Sequence, residues 1–170
     1  MRNKKNITTY TIRQAKLDDI ENICIVERSA FPSHRQASAE TLANRINLFP
    51  EGCYVIECDE RIVGFSTALI INNLKSLEAF IESDSQLHNS KGNTYYLRSV
   101  GIKQNYQKIG LGKALIAQQL KNAHNLNKKY FRFTASEDVE FFYTKLGFTR
   151  ITNYCNFHGS IQAVWEMEIK

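Results

Sequence analysis

Two adjoining stretches decide the fold: Thr94-Tyr95-Tyr96-Leu97-Arg98-Ser99-Val100-Gly101-Ile102-Lys103 and, after Gln104-Asn105-Tyr106, Gln107-Lys108-Ile109-Gly110-Leu111-Gly112-Lys113-Ala114-Leu115. The first is rich in aromatic and β-branched residues, which pack well on a pleated surface, and it reads as a strand. The second runs into Leu111, Ala114, Leu115, Leu120 and Ala123 at helical spacing, so a helix is predicted from Gly110 to about Asn125. Between them lies a turn carrying two glycines. Glycine reaches backbone conformations closed to other residues and lets an anion approach the main chain. The helix N-terminus adds N–H groups without intrahelical acceptors and a partial positive charge. Together these make an anion pocket, with Lys108 and Lys113 beside it.

Which anion it takes is open at this stage. A Walker-type loop needs Gly at 107 and Ser or Thr at 114, where this chain has Gln107 and Ala114. A dinucleotide fingerprint needs Gly at 115, where Leu115 stands. A glycine turn that holds no ligand is the plain alternative.

Working outward, Thr8 to Arg13 alternates and is β-branched, a strand. Asp18 or Asp19 caps a helix reaching about Ala30, and Ser38 caps a second through Leu48. Cys53 to Cys58, the turn Asp59-Glu60 and Arg61 to Ile71 form a hairpin. Residues 72–93 are polar and irregular, with a short helix expected around Leu77 to Ile81. Downstream, Tyr130 to Ala135 is a strand. Ser136 caps a helix through Leu146, and Gly147 ends it in a left-handed cap. Phe148 to Cys155 and Ile161 to Ile169 close as a pair of strands. The predicted order β-α-α-β-β-β-α-β-α-β-β is an α/β (α+β) domain with an antiparallel hairpin in front and crossover helices behind.

At 170 residues this is one domain spanning 1–170. Hydrophobic residues at 43% and charged residues at 23% are ordinary globular usage, which excludes a disordered tail, a collagen-like repeat and a coiled-coil rod. The net charge of +5 is unevenly spread: no Asp or Glu lies from Ser85 to Ser136, where Lys91, Arg98, Lys103, Lys108, Lys113, Lys121, Lys128, Lys129 and Arg132 sit. That block either attracts phosphates or is a solvated basic face. Cys24, Cys53, Cys58 and Cys155 form no paired framework and read as reduced thiols of a cytoplasmic protein. The basic start, Met1 to Asn6, leads into a polar stretch rather than an apolar one, so no secretory leader is expected. The apolar runs are too short to span a bilayer. His88, His124 and His158 lack metal-ligand spacing, and no metal is expected.

The stretch Val100-Gly101-Ile102-Lys103 to Gln107-x-x-Gly110-x-Gly112-Lys113-Ala114-Leu115 resembles motif A of the GNAT superfamily of N-acetyltransferases, whose loop binds the pyrophosphate of acetyl-CoA. Phe142-Tyr143-Thr144-Lys145-Leu146-Gly147-Phe148 is similar to that family's motif B, at the expected distance downstream. Glu27-Arg28-Ser29-Ala30-Phe31-Pro32, Phe49-Pro50-Glu51-Gly52 and Glu60-Arg61-Ile62-Val63-Gly64-Phe65 resemble its arylalkylamine (serotonin) N-acetyltransferase branch. The resemblance implies a central mixed sheet of about six to seven strands flanked by about four helices. It also implies a strand pair that splays apart at the acyl-CoA site.

It further implies roles. Val100 and Ile102 would offer main-chain groups to the pantetheine arm, with the Val100 N–H polarising the thioester carbonyl. Lys108, Gly110, Gly112 and Lys113 would hold the pyrophosphate. Tyr143 would be the general acid that protonates the departing thiolate, a task suited to a phenol of ordinary pKa ~10. Phe31, Tyr96 and Arg98 would border the acceptor. The branch uses two histidines as base on this strand, where this chain has Tyr96 and Arg98. The proton would then leave through water, Glu27 or His34, with His34 also readable as a plain solvent-exposed loop residue.

The expected function is transfer of an acetyl group from acetyl-CoA to a primary amine, on a small molecule or a protein, by direct attack in a ternary complex. A homodimer is the candidate assembly, and neither nucleic acid nor membrane is an expected partner. The alternative is a catalytically weak acyl-CoA-binding sensor or subunit, motivated by the absent strand base. A nucleic-acid-binding domain, motivated by the basic block, ranks last because no reader motif accompanies it.

Overall fold

The computed structural model describes residues 9–72, 83–157 and 159–170. Among them are β1 (Thr11–Gln14), α1 (Ile20–Ala30), α2 (Ala39–Leu48), β2 (Tyr54–Cys58), β3 (Arg61–Ile71), α3 (Asp84–Leu87) and β4 (Thr94–Ile102). There follow α4 (Leu111–Asn125), β5 (Tyr130–Ala135), α5 (Glu140–Lys145), β6 (Thr149–Arg150), β7 (Cys155–Phe157) and β8 (Ser160–Glu168). The strands hydrogen-bond in the order β1-β2-β3-β4-β5-β8-β6, with β7 on β8. β4 and β5 run parallel, and β1-β2, β2-β3 and the pairs made by β8 run antiparallel. This is the mixed sheet the sequence predicts, with a strand and a helix more than expected.

The chain forms two compact units, Met1–Thr67 with Ser99–Gln119, and Ala68–Arg98 with Leu120–Lys170; β3, β4 and α4 run through both. In the first unit the period-2 alternation of the strands builds two apolar layers. Val55 of β2 and Phe65 of β3 pack with Ile23 and Val26 of α1 and Leu42 and Ile46 of α2. Tyr54, Ile56 and Val63 point the other way and pack with Ile102, Leu111 and Leu115. Each such aliphatic side chain contributes ~1.5–3 kcal/mol by burial. Ser38 caps α2 as predicted, its Oγ accepting the Thr41 N–H at 3.1 Å. β3 and β4 approach so closely that a Cβ at Gly64 would lie 2.9 Å from the Gly101 carbonyl oxygen.

In the second unit β5 and β8 pair along their length, from Tyr130↔Glu168 to Ala135↔Ala163. Phe131, Phe133, Phe148 and Trp165 fill the core, with Phe133 meeting Phe148 edge to face at 4.9 Å. The parallel β4–β5 ladder covers only Thr94–Tyr96 against Tyr130–Arg132, although β4 continues to Ile102 and β5 to Ala135. β4 also changes phase. Near its start the Tyr95 hydroxyl accepts from Asn122 of α4 (3.0 Å), so odd positions face α4 there. Near its end the even positions Val100 and Ile102 pack with Leu111 and Leu115 of α4. Alternation has slipped by one between them, which is what a bulge does. Arg98, Ser99 and Val100, where the slip falls, are only half-buried in an otherwise buried strand.

Three expectations are corrected. The segment after Ser136 starts as a 3-10 turn over Glu137–Val139, and the Ser136 hydroxyl bonds to the Asp138 carboxylate instead of capping α5. Asp19 does not cap α1; its carboxylate accepts the Lys16 N–H at 2.8 Å and is held by Arg13. The stretch 148–155 divides into the short β6 and the start of β7. The helix expected at Leu77 to Ile81 lies outside the described residues. Among the described residues, no helix is long and apolar enough to cross a membrane.

Candidate active site

The glycine loop belongs to the first unit. The chain leaving β4 is pinned by the Lys103 N–H on the Val63 carbonyl (2.9 Å) and the Gln104 N–H on Ser29 Oγ (3.1 Å). The Gln107 side-chain amide folds back onto the Ile102 carbonyl at 2.9 Å. Lys108 and Gly110 both take left-handed conformations, with φ of +63° and +94°. For a residue with a side chain, as at Lys108, that costs ~1–2 kcal/mol, and such strain persists where a site requires the shape. A Cβ at Gly110 would meet nothing within 4 Å, so internal packing does not demand glycine there. The first bond of α4 runs from the Ala114 N–H to the Gly110 carbonyl (3.0 Å). The amides of Leu111, Gly112 and Lys113 precede it and, as helix N-terminal donors, have no acceptor within the helix. Lys108 and Lys113 are exposed on either side. Donors, dipole and two cations around an open glycine fit a diphosphate.

Val100 and Ile102 lie in the part of β4 beyond its ladder with β5. The Ile102 carbonyl already accepts from Gln107 and keeps a second lone pair. Phe31, at the end of α1, reaches the same strand: its ring carbon Cε2 lies 3.2 Å from where a Gly101 Cβ would be. Glu27 is buried one turn earlier on α1, and His34 is exposed on the turn Ser33–Arg35.

Tyr143, Tyr96 and Arg98 belong to the second unit. Tyr143 sits on α5 with its half-buried ring against Phe133 (centroids 4.2 Å apart), Phe148 and Trp165. Burial, with a contribution from Asp138, pushes its phenol up to about 12. It is therefore protonated throughout the physiological range. Tyr96 is buried. Arg98 lies over the Tyr96 ring at 5.6 Å, and its Nε is 2.8 Å from Asp84 Oδ1. By its sequence alone, Arg98 would either repel a cationic amine or pair with an acidic group on the acceptor. The carboxylate of Asp84, the last acid before the basic block, pairs with Arg98. A pair fourteen residues apart across a loop has no periodic signature in the sequence.

The basic block is likewise less basic than its composition. Arg132 is fully buried and paired with Glu166 of β8. Lys128 donates to the carbonyls of Ser90 (3.2 Å) and Gly92 (2.9 Å). Lys108 and Lys113 stay exposed at the loop. Among the described residues, no group of three or more His, Cys, Asp or Glu could hold a metal ion.

Comparison with known proteins bears on this arrangement. The family model described as "Acetyltransferase (GNAT) family" matches residues 18–148. An uncharacterized N-acetyltransferase, YkwB of Bacillus subtilis, is 30% identical over 122 residues, 66% of this chain and 54% of that protein. The match thus spans about half the length of that relative. An N-alpha-acetyltransferase of Sulfurisphaera tokodaii is 25% identical over 149 residues, 84% of this chain and 81% of that one. The loading GNATL domain of CurA from Lyngbya majuscula shares the fold at a TM-score of 0.82 and 16% identity, over 95% of this chain and 98% of that domain.

Proposed function

The chain belongs to the acetyltransferase (GNAT) family, and from that premise we propose that it moves an acetyl group from acetyl-CoA to a primary amine by direct attack in a ternary complex. The observation that carries the reading is the loop: left-handed Lys108 and Gly110, open space over Gly110, and the N-terminus of α4 flanked by two exposed lysines. Lys108, Gly110, Gly112 and Lys113 hold the diphosphate. The end of β4 beyond its ladder with β5 gives Val100 and Ile102 to the pantetheine arm, with the Val100 N–H against the thioester carbonyl. Phe31 and Tyr96 border the acceptor. Arg98, paired with Asp84, presents less positive charge to a cationic amine than a lone guanidinium would.

The amine lone pair attacks the thioester carbon, a C–N bond forms and the C–S bond breaks. Tyr143 donates to the sulfur as its charge develops. Burial holds the phenol above its ordinary value, which makes it a weaker acid than a thiol of ordinary pKa ~8.5. Its first contribution is therefore a hydrogen bond to the forming thiolate, with the proton following as charge builds.

The N-alpha-acetyltransferase relative makes a peptide α-amine the first acceptor to test. The four cysteines are all free thiols, which suits a reducing cytoplasm. Purified protein with acetyl-CoA and peptides bearing free N-termini, followed by thiol release and product mass, tests the reading. Thermal stabilisation by acetyl-CoA without thiol release over a broad amine panel favours the sensor reading, which the lack of His or carboxylate side chains on β4 motivates.

A further inference from the structure

Beside the wall of rings that holds Tyr143, one strand departs from regular pairing. β6 pairs with β8 through Thr149↔Glu166 and Arg150↔Trp165, and β7 resumes at Cys155↔Gln162. Ile151, Thr152, Asn153 and Tyr154 therefore lie opposite only Ala163 and Val164. That excess is a bulge, which re-aims the side chains it carries. The bulge is pinned on both sides. The Ile151 N–H donates to the Val164 carbonyl at 2.9 Å. The Val164 N–H donates to the Thr152 hydroxyl at 2.9 Å, where a regular strand would offer a carbonyl. The Thr152 carbonyl accepts from Arg150 at 2.8 Å, and the Arg150 guanidinium lies over the Tyr154 ring at 4.9 Å.

Tyr154 is sent to α5. Its hydroxyl donates to Glu140 Oε2 at 2.8 Å. Partial burial, this hydrogen bond and the Glu140 charge push the phenol up to about 12. The group thus keeps its proton and goes on donating throughout the physiological range.

α5 needs a tie at this end. It has six residues, and its N-cap, Val139, has no side-chain acceptor for the free amides. Ser136, the residue suited to that task, bonds to Asp138 instead. A helix this short does not hold itself. The far end is secured: the Tyr143 carbonyl accepts the Leu146 N–H at 3.0 Å and the Phe148 N–H at 3.1 Å, and Phe148 is buried. Glu140 opens the first turn, and Tyr143 stands three residues on, on the same helix face. Phe133, Phe148 and Trp165 contact the Tyr143 ring, so the aim of its hydroxyl follows from where α5 sits. Resting on the acetyl-transfer reading, we propose that Tyr154 is a positioning residue: its bond to Glu140 fixes the first turn of α5, and with it the direction in which Tyr143 presents its hydroxyl to the departing sulfur.

Paired substitutions test this, because a residue that acts through the Tyr143 hydroxyl has nothing to act through once that hydroxyl is gone. Tyr154→Phe removes the donor and keeps the ring under Arg150. In the wild-type background it should lower kcat ~10-fold or more, the scale of loss that misplacement brings. KM for acetyl-CoA and the melting shift that acetyl-CoA gives should stay as they are. In the Tyr143→Phe background the same substitution should change kcat by less than ~2-fold. A purely structural contribution would lower kcat by one factor in both backgrounds; that result, or an unchanged kcat in the first, overturns the proposal. Glu140→Leu removes the other half of the tie. It should repeat the loss, with no further loss on adding Tyr154→Phe, and it decides in the same two backgrounds if Tyr154→Phe does not fold. A Tyr143→Phe protein at the wild-type rate removes the acid and Tyr154 with it, and leaves acetyl transfer standing. A wild type that releases no thiol takes down the acetyl-transfer reading and Tyr154 with it.

Discussion

Gly110→Ala separates a loop that holds a diphosphate from one that merely turns. A Cβ there meets no protein atom within 4 Å, so the substitution creates no internal clash. Its structural cost is the left-handed backbone, φ +94°, at ~1–2 kcal/mol. For a chain of this size that is a fall in Tm of ~2–8 °C. Gly159, φ +74° in the β7–β8 turn and equally open, is a matched control, and Gly159→Ala should lose a similar amount. Ligand binding should divide them. A methyl group over the loop keeps phosphate oxygens away from the amides. Losing two hydrogen bonds to an anion at ~1.5–3 kcal/mol each costs at least ~100-fold in affinity. Acetyl-CoA at ~100 times its Kd stabilises wild type by ~2.7 kcal/mol, a shift of ~5–11 °C. At the same concentration a 100-fold weaker variant gains ~0.4 kcal/mol, or ~1–2 °C. Differential scanning fluorimetry of the three proteins, with and without acetyl-CoA, reads both quantities. A Gly110→Ala protein with the full wild-type shift refutes the loop assignment.

Three further outcomes follow from the same structure. Tyr143→Phe keeps the ring packing against Phe133 and should leave the acetyl-CoA melting shift intact while cutting kcat ~100-fold; an unchanged kcat removes the phenol from the reaction. Arg132→Met strands Glu166 without its buried partner and should cost up to ~3–5 kcal/mol in urea unfolding, much of it recovered by adding Glu166→Leu. Hydrogen bonding from Arg13 holds the Asp19 carboxyl below its ordinary value. A lowered folded value stabilises the fold above the unfolded value of ~3.9 and loses that contribution as pH falls through the folded one. Wild type should therefore exceed Asp19→Asn in stability at pH 7, with the gap closing toward pH 3; a gap independent of pH contradicts the pair.

Local signals were readable from the residues. Arg61–Ile71 is a strand with the predicted bounds because its β-branched run lies between a turn and polar chain. Ser38 and Gly147 act as the cap and the left-handed stop that their chemistry suggests. Pairings between distant residues were not readable. Asp84 pairs with Arg98, and Glu166 pairs with Arg132, through contacts that no periodicity encodes. Ser136 has the right chemistry for a cap, yet its hydroxyl is taken by Asp138 and the turn tightens to 3-10. The phase slip in β4 was invisible for a similar reason, since its run of apolar and aromatic residues reads alike in either register. The glycine loop was legible in outline. The left-handed Lys108 and the fold-back of Gln107 onto Ile102 have no signature in the residue pattern.

The amide resonances of the loop give the most direct test of the whole account. Titrating labelled protein with acetyl-CoA and following backbone N–H shifts should move Lys108 through Lys113 most strongly, with inorganic pyrophosphate reproducing part of the change at the same residues. Loop amides that stay in place while acetyl-CoA perturbs another surface would contradict it.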